Sequence, residues 1–193
     1  MKRRYRGTAI RWGFLILCLA GLSCISCTRE GGGIEDLKLD ESVYGFHLGE
    51  RKDGLFERAR YRTSWEEIPG LRHDDRGELY RFAKPLDGSR DVDHVRLAFL
   101  DGYLMEVIVY FRNTGVSHLR KLKSKLEERY GSRLSSPDGT IETAYKTYRL
   151  STAGMSITLR RITKKPRTEL YIQYLHDGLH RRLLQIQEEM SGG

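Results

Sequence analysis

The stretch from Val95 to Phe111 constrains the fold more than any other part of the chain. Two runs rich in β-branched, aromatic and aliphatic residues flank Asp101-Gly102. Asp-Gly between such runs is a strong hairpin signal, because the turn needs positive φ and these residues tolerate it. A two-residue loop would set Leu97 opposite Glu106. A three-residue loop, Leu100-Asp101-Gly102, sets Arg96 opposite Glu106 and collects Val95, Leu97, Phe99, Tyr103, Met105, Val107 and Val109 on one face. The second register is expected, since it separates the faces and pairs opposite charges. It leaves Leu104, Ile108 and Tyr110 on the other face, a strip either covered by helices or open to a partner.

The rest of the chain supplies helices and further strands. Residues 54–61 read as a short helix with Leu55 and Ala59 at i, i+4 spacing. Leu119, Leu122, Leu126 and Tyr130 fall on one helical stripe that Gly131 ends. Strands are expected over 143–150, 155–162 and 169–175, with a turn at Thr152-Ala153-Gly154. A last helix follows, its stripe formed by Leu179, Leu183, Ile186 and Met190. The order predicts an α+β fold: an antiparallel sheet with helices packed on one face. Two degenerate helix-plus-strands units, 53–111 and 116–175, would precede the C-terminal helix at 177–190.

The N-terminus carries an address. Lys2, Arg3, Arg4, Arg6 and Arg11 precede a short apolar run, and no acid appears before Glu30, the layout of a secretory signal. Trp12 to Ile25 spans 14 residues, short of the roughly 20 that a helix needs to cross a bilayer core; an uncleaved membrane anchor is the competing reading. Ala20-Gly21-Leu22-Ser23-Cys24 resembles the lipobox of bacterial lipoproteins, in which small residues precede an invariant cysteine. The resemblance implies diacylglycerol on the Cys24 thiol, cleavage before it and acylation (palmitate or a similar chain) of the new amine. The family prefers Leu where Gly21 stands, and Cys27 is the alternative lipidation site. Ile25 is not the Asp that retains such proteins at the inner membrane, so the outer membrane, facing the periplasm, is the implied location. Two or three acyl chains meet the requirement for stable anchoring.

Three segments are thus expected: a signal peptide at 1–23, a lipidated cysteine and flexible tether at 24–42, and one α+β domain at 43–193. Its layout is loosely similar to small envelope proteins such as the small lipoprotein of the outer-membrane barrel assembly machine and the two-lobed β-lactamase inhibitor protein. No diagnostic motif is shared, so no functional residue carries over.

The formal charge of +8 suggests nucleic acid, but five of the 34 basic side chains lie ahead of Cys24. The remaining 29 face 26 acidic ones, a net of +3, ordinary for a soluble domain. Nucleic acid is therefore not an expected partner. Every cysteine (Cys18, Cys24, Cys27) lies at the N-terminal end, so the domain is expected to fold without a disulfide.

Catalytic and metal signatures are weak, and no cofactor is expected. His176 and His180 stand at i, i+4, a spacing that could serve one metal, but no third ligand is implied and two solvated residues are the preferred reading. His73-Asp74-Asp75 and Glu66-Glu67 read as a solvated loop rather than a converging acid–base pair. Arg160-Arg161, Lys164-Lys165 and Arg167, joined by Arg181-Arg182 if the last helix packs nearby, could meet anionic headgroups or an acidic polymer; a solubilising turn is the plainer reading. Two functions follow. The first is a lipid-anchored, non-catalytic binding or adaptor module whose partner is an envelope protein or anionic polymer. The second is an enzyme acting on an envelope polymer or lipid.

Overall fold

The computed structural model describes residues 37–69, 76–136, 145–164 and 166–192. In chain order the elements are β1 (Ser42–Val43), β2 (Phe46–His47), α1 (Lys52–Ala59), β3 (Trp65–Glu67), β4 (Gly77–Phe82), β5 (Val92–Leu100), β6 (Tyr103–Phe111), α2 (Val116–Tyr130), β7 (Tyr145–Thr152), β8 (Met155–Lys164), β9 (Arg167–His176) and α3 (Asp177–Ser191). The chain adopts the expected α+β class. β1 and β2 form a small hairpin, and the other strands make one antiparallel sheet in the order β3-β4-β5-β6-β9-β8-β7. Each half is a helix followed by a meander, and the last strands of the halves, β6 and β9, lie side by side.

The main core lies between the sheet and the first two helices. Leu55 and Ala59 of α1 and Leu119, Leu122 and Leu126 of α2 bury against Val95, Leu97, Val107, Val109, Leu159 and Ile172. The expected stripes are therefore the buried ones, and Gly131 ends α2 in the left-handed region at φ 62°. α3 joins a smaller cluster, in which Leu179 packs with Leu100, Tyr103 and Met105, flanked by Ala98 and Leu175. Leu175 alternates along β9 with the core residue Tyr174, so α3 covers one end of the opposite face.

The hairpin differs from the expected register. Asp101 and Gly102 both have positive φ, 51° and 78°, and Leu100 pairs with Tyr103, so the loop has two residues. Between the pairs Ala98↔Glu106 and Phe99↔Leu104 the register shifts by one, leaving Met105 as the extra residue of a bulge. The bulge removes the clash that argued against a two-residue loop, because Leu97 then faces Val107. Arg96 pairs with Ile108 rather than with Glu106. Leu104 moves into the core, while Tyr103 and Met105 turn to the α3 cluster.

The body also begins earlier than expected. Leu37 and Leu39 pack on the two clusters, and the Leu39 N–H donates to the carbonyl of Leu48 at 2.8 Å. Residues 37–42 are therefore part of the folded domain. β3 and β4 were not expected: β3 is Trp-Glu-Glu and β4 Gly-Glu-Leu-Tyr-Arg-Phe, with charged residues on both sides of each strand and no clean apolar alternation.

Candidate functional site

Among the described residues, the sheet face opposite α1 and α2 is covered only at one end, by α3. Beyond that helix, pairing sets His94, Tyr110, Tyr171 and Arg160 in a row across four adjacent strands. The next row holds Arg81, Arg96, Ile108, Gln173 and Thr158. All but the exposed Arg81 are half-buried, as expected on a sheet surface without a second layer. Their order follows from the period of two, which sends Val95, Val107, Val109 and Ile172 inward and their neighbours outward.

The rings form a shelf. The His94 imidazole stacks on Tyr110, with ring centres 4.4 Å apart and planes 7° apart. The Arg96 guanidinium lies over the same Tyr110 ring, 5.1 Å from its centre, a cation–π arrangement. Tyr171 continues the shelf at 5.4 Å from Tyr110. Among the described residues, His94 Nε2, Arg96 Nε and Arg160 Nε have no hydrogen-bond partner. Burial holds the His94 imidazole below its ordinary pKa, against the hydrogen bond it donates to Asp93, and raises the Tyr110 phenol.

Toward α3 the face closes into a cleft of about 220 Å³, lined by Leu79, Ala98, Met105, Glu106 and Leu183. Two carboxylates line it: Glu78, paired with Lys52 at 2.6 Å, and Glu106. The Glu106 carboxylate accepts from the Gln173 amide, yet burial outweighs that bond and the nearby His180, and the pKa rises.

The residues singled out from sequence fall elsewhere. Cys24, Cys27 and Cys18 lie outside the described residues, as do His73, Asp74 and Asp75. Glu66 and Glu67 belong to β3 rather than a loop, and Glu66 meets Arg81 at 3.5 Å. His176 is not solvated: it is buried, its Nδ1 accepts from the N–H of Gly178 and Leu179, and its Nε2 donates to Leu37 O. Both ring nitrogens are engaged, so it cannot share a metal with His180. Among the described residues no three His, Cys, Asp or Glu side chains converge as metal ligands.

The basic stretch also divides. Arg160 sits on the open face, while Arg161 donates to the carbonyl of Thr114 at 2.8 Å. Arg181 and Arg182 begin α3 at the far end of β9, and Arg182 binds Asp101 at 2.8 Å. They do not join Lys164 and Arg167 in one patch. Lys165 lies outside the described residues.

Sequence reasoning placed Arg96, Ile108 and Tyr110 on this face but gave Arg96 the wrong neighbour, Glu106 instead of Ile108, and did not bring Arg81 or Arg160 to it. No protein-family model matches this chain, and neither a curated protein nor a solved structure does. Among the described residues no helix is long and apolar enough to cross a membrane.

Proposed function

We propose that the chain is a lipid-anchored envelope protein, tethered through Cys24, that acts as a non-catalytic binding or adaptor module through its open sheet face. The address rests on the basic stub, the short apolar run and the lipobox-like Ala20-Gly21-Leu22-Ser23-Cys24. The outer membrane, facing the periplasm, is the location these residues favour. The observation that carries the binding reading is the shelf of Tyr110 and Tyr171 with Arg96 above it. Tyrosine and arginine dominate the energetics of protein interfaces, where rigid rings supply area and guanidinium groups supply directional bonds. Arg96 and Arg160 each keep a buried Nε without a partner among the described residues, an unmet bond that a shift of either side chain toward an incoming acceptor would satisfy.

The test is site-specific photocrosslinking in the native cell. A benzophenone amino acid at Tyr171 should give one abundant adduct that Arg96→Ala diminishes, while the same probe at Lys121, on the exposed side of α2, should not. Equal adducts from both positions would overturn the reading.

A further inference from the structure

At the end of the sheet away from α3, a depression of about 670 Å³ opens beside the loop between β4 and β5. Arg62, Lys84, Asp87, Arg90 and Arg112 line it around Leu86. Its size falls in the roughly 300–1,000 Å³ range of small-ligand sites. The backbone beneath these cations is fixed at several points. The Leu86 N–H donates to Tyr44 O at 3.1 Å, the Lys84 N–H to Thr63 Oγ1 at 3.0 Å, and the Arg112 N–H to Asp91 O at 3.1 Å. Arg62 reaches Leu86 O at 3.5 Å.

The charge balance here is one-sided. Several cations elsewhere meet carboxylates closely: Arg58 with Glu50 and Lys52 with Glu78 at 2.6 Å each, Arg129 with Glu41 at 3.0 Å. Among the described residues none of Arg62, Lys84, Arg90 and Arg112 has such a partner. The acid in the lining, Asp87, spends both oxygens on its own loop, accepting from Ser89 N at 3.0 Å and Ser89 Oγ at 2.9 Å. Four cations of one sign thus surround one concavity whose carboxylate is already engaged.

We propose that this depression binds an oligoanion carrying two or more linked phosphate groups. Guanidinium forks match phosphate oxygens with paired, charge-assisted bonds. Linked phosphates concentrate several negative charges within a space this small, whereas a carboxylate polymer presents single charges spaced along its chain. The site is independent of the open sheet face and of the anchor. It also points away from where the chain enters the domain. Leu37 is held at His176, the last residue of β9, whereas Arg112 follows the end of β6 that pairs toward the start of β9. Tyr110 pairs with Tyr171, so Arg112 is level with residue 169, and the seven residues from there to His176 span roughly 23 Å. The same chemistry could come from a soluble polyphosphate or from a phosphorylated lipid headgroup.

The experiment is calorimetric titration of the full chain in neutral detergent with sodium tripolyphosphate at low ionic strength. A saturable one-to-one isotherm that weakens as sodium chloride is added is expected. Arg90→Ala with Arg112→Ala should weaken it at least tenfold, and Lys121→Ala with Lys125→Ala should leave it unchanged. These side chains are exposed, and circular dichroism melts of each variant establish that it folds. No saturable heat, an unaffected double variant, or equally tight binding of citrate would overturn the proposal. Competition with dihexanoyl phosphatidylinositol bisphosphate separates the sources: tighter binding than tripolyphosphate assigns a headgroup, weaker binding a soluble anion.

Discussion

The Nε2 of His176 donates to the main-chain oxygen of Leu37 at 2.7 Å, closing a contact between residues 139 apart in sequence. The other ring nitrogen caps the first turn of α3 through Gly178 and Leu179. One buried imidazole therefore fixes both the start of the domain and the start of its last helix. His176→Ala should cost about 1–3 kcal/mol, since it leaves buried groups without partners and removes a cap. His180→Ala, half-exposed one turn later, should cost little, and a chelator should leave the thermal midpoint unmoved. A chelator-induced fall in that midpoint would revive a metal role for the pair.

The Leu37 oxygen is approached from a second side. A Cβ built on Gly49 would lie 1.8 Å from it, and Gly49 has φ +77°. Gly49→Ala should therefore lift residues 37–39 off the body, seen as faster amide exchange at Leu39, whose N–H bonds Leu48 O. Unchanged protection there would show that the segment accommodates a side chain at Gly49 without leaving the body.

The revised hairpin can be tested against the register expected from sequence. Gly102 at φ 78° tolerates a side chain poorly, so Gly102→Val should cost roughly 1 kcal/mol or more. Both registers predict that loss; Leu104 separates them. It is fully buried in the main core, so Leu104→Ala should cost about 2–5 kcal/mol. Ile108→Ala, on the half-buried face, should cost less. A loss at Leu104 no larger than that at Ile108 in urea melts would restore the three-residue loop, which puts both on the less buried face, and would overturn the open face as drawn.

What the sequence revealed follows from the range of the forces involved. Helical stripes such as Leu119, Leu122 and Leu126, the stop at Gly131 and the turn at Asp101-Gly102 are local, and each stands where expected. The bulge at Met105 is not local: it reconciles the turn with a core formed by α1, α2, β8 and β9, and it decides whether Arg96 faces Glu106 or Ile108. β3 and β4 escaped because Glu66, Glu78 and Arg81 pattern like a loop. They are strands because Phe56, Trp65, Tyr80 and Phe82 pack edge-on and stacked in one aromatic group. The row His94–Tyr110–Tyr171–Arg160 joins residues from two distant hairpins, so only the β6–β9 pairing brings it together.

The proposed anchor gives a direct outcome. Cys24→Ala should move the protein from the membrane to the soluble fraction, and metabolic labelling with palmitate should disappear with it. Labelling that survives Cys24→Ala and vanishes in Cys27→Ala would transfer the site to the second cysteine.

Glu106 makes stability depend on pH in a direction opposite to that of most paired carboxylates. Burial holds its pKa in the folded protein above the ordinary carboxylate value, despite the bond from Gln173 and the pull of His180. The folded state thus keeps its proton to higher pH than the unfolded chain does. Where the unfolded chain has lost the proton and the folded one has not, unfolding releases it, so stability falls as pH rises through that window. The contribution is fully present below the unfolded pKa and is lost once pH passes the folded value. Glu106→Gln keeps a hydrogen-bonding partner for Gln173 and removes the titration. Its thermal midpoint should gain on the wild type as pH rises from about 4 toward 8, with the difference flattening at the acid end. Repeating the comparison in a His180→Gln background removes the neighbouring imidazole whose charge acts on Glu106. A difference that is constant with pH in both backgrounds, or that favours the wild type at high pH, would mean that Glu106 is hydrated beneath α3 and that the cleft there is open to water.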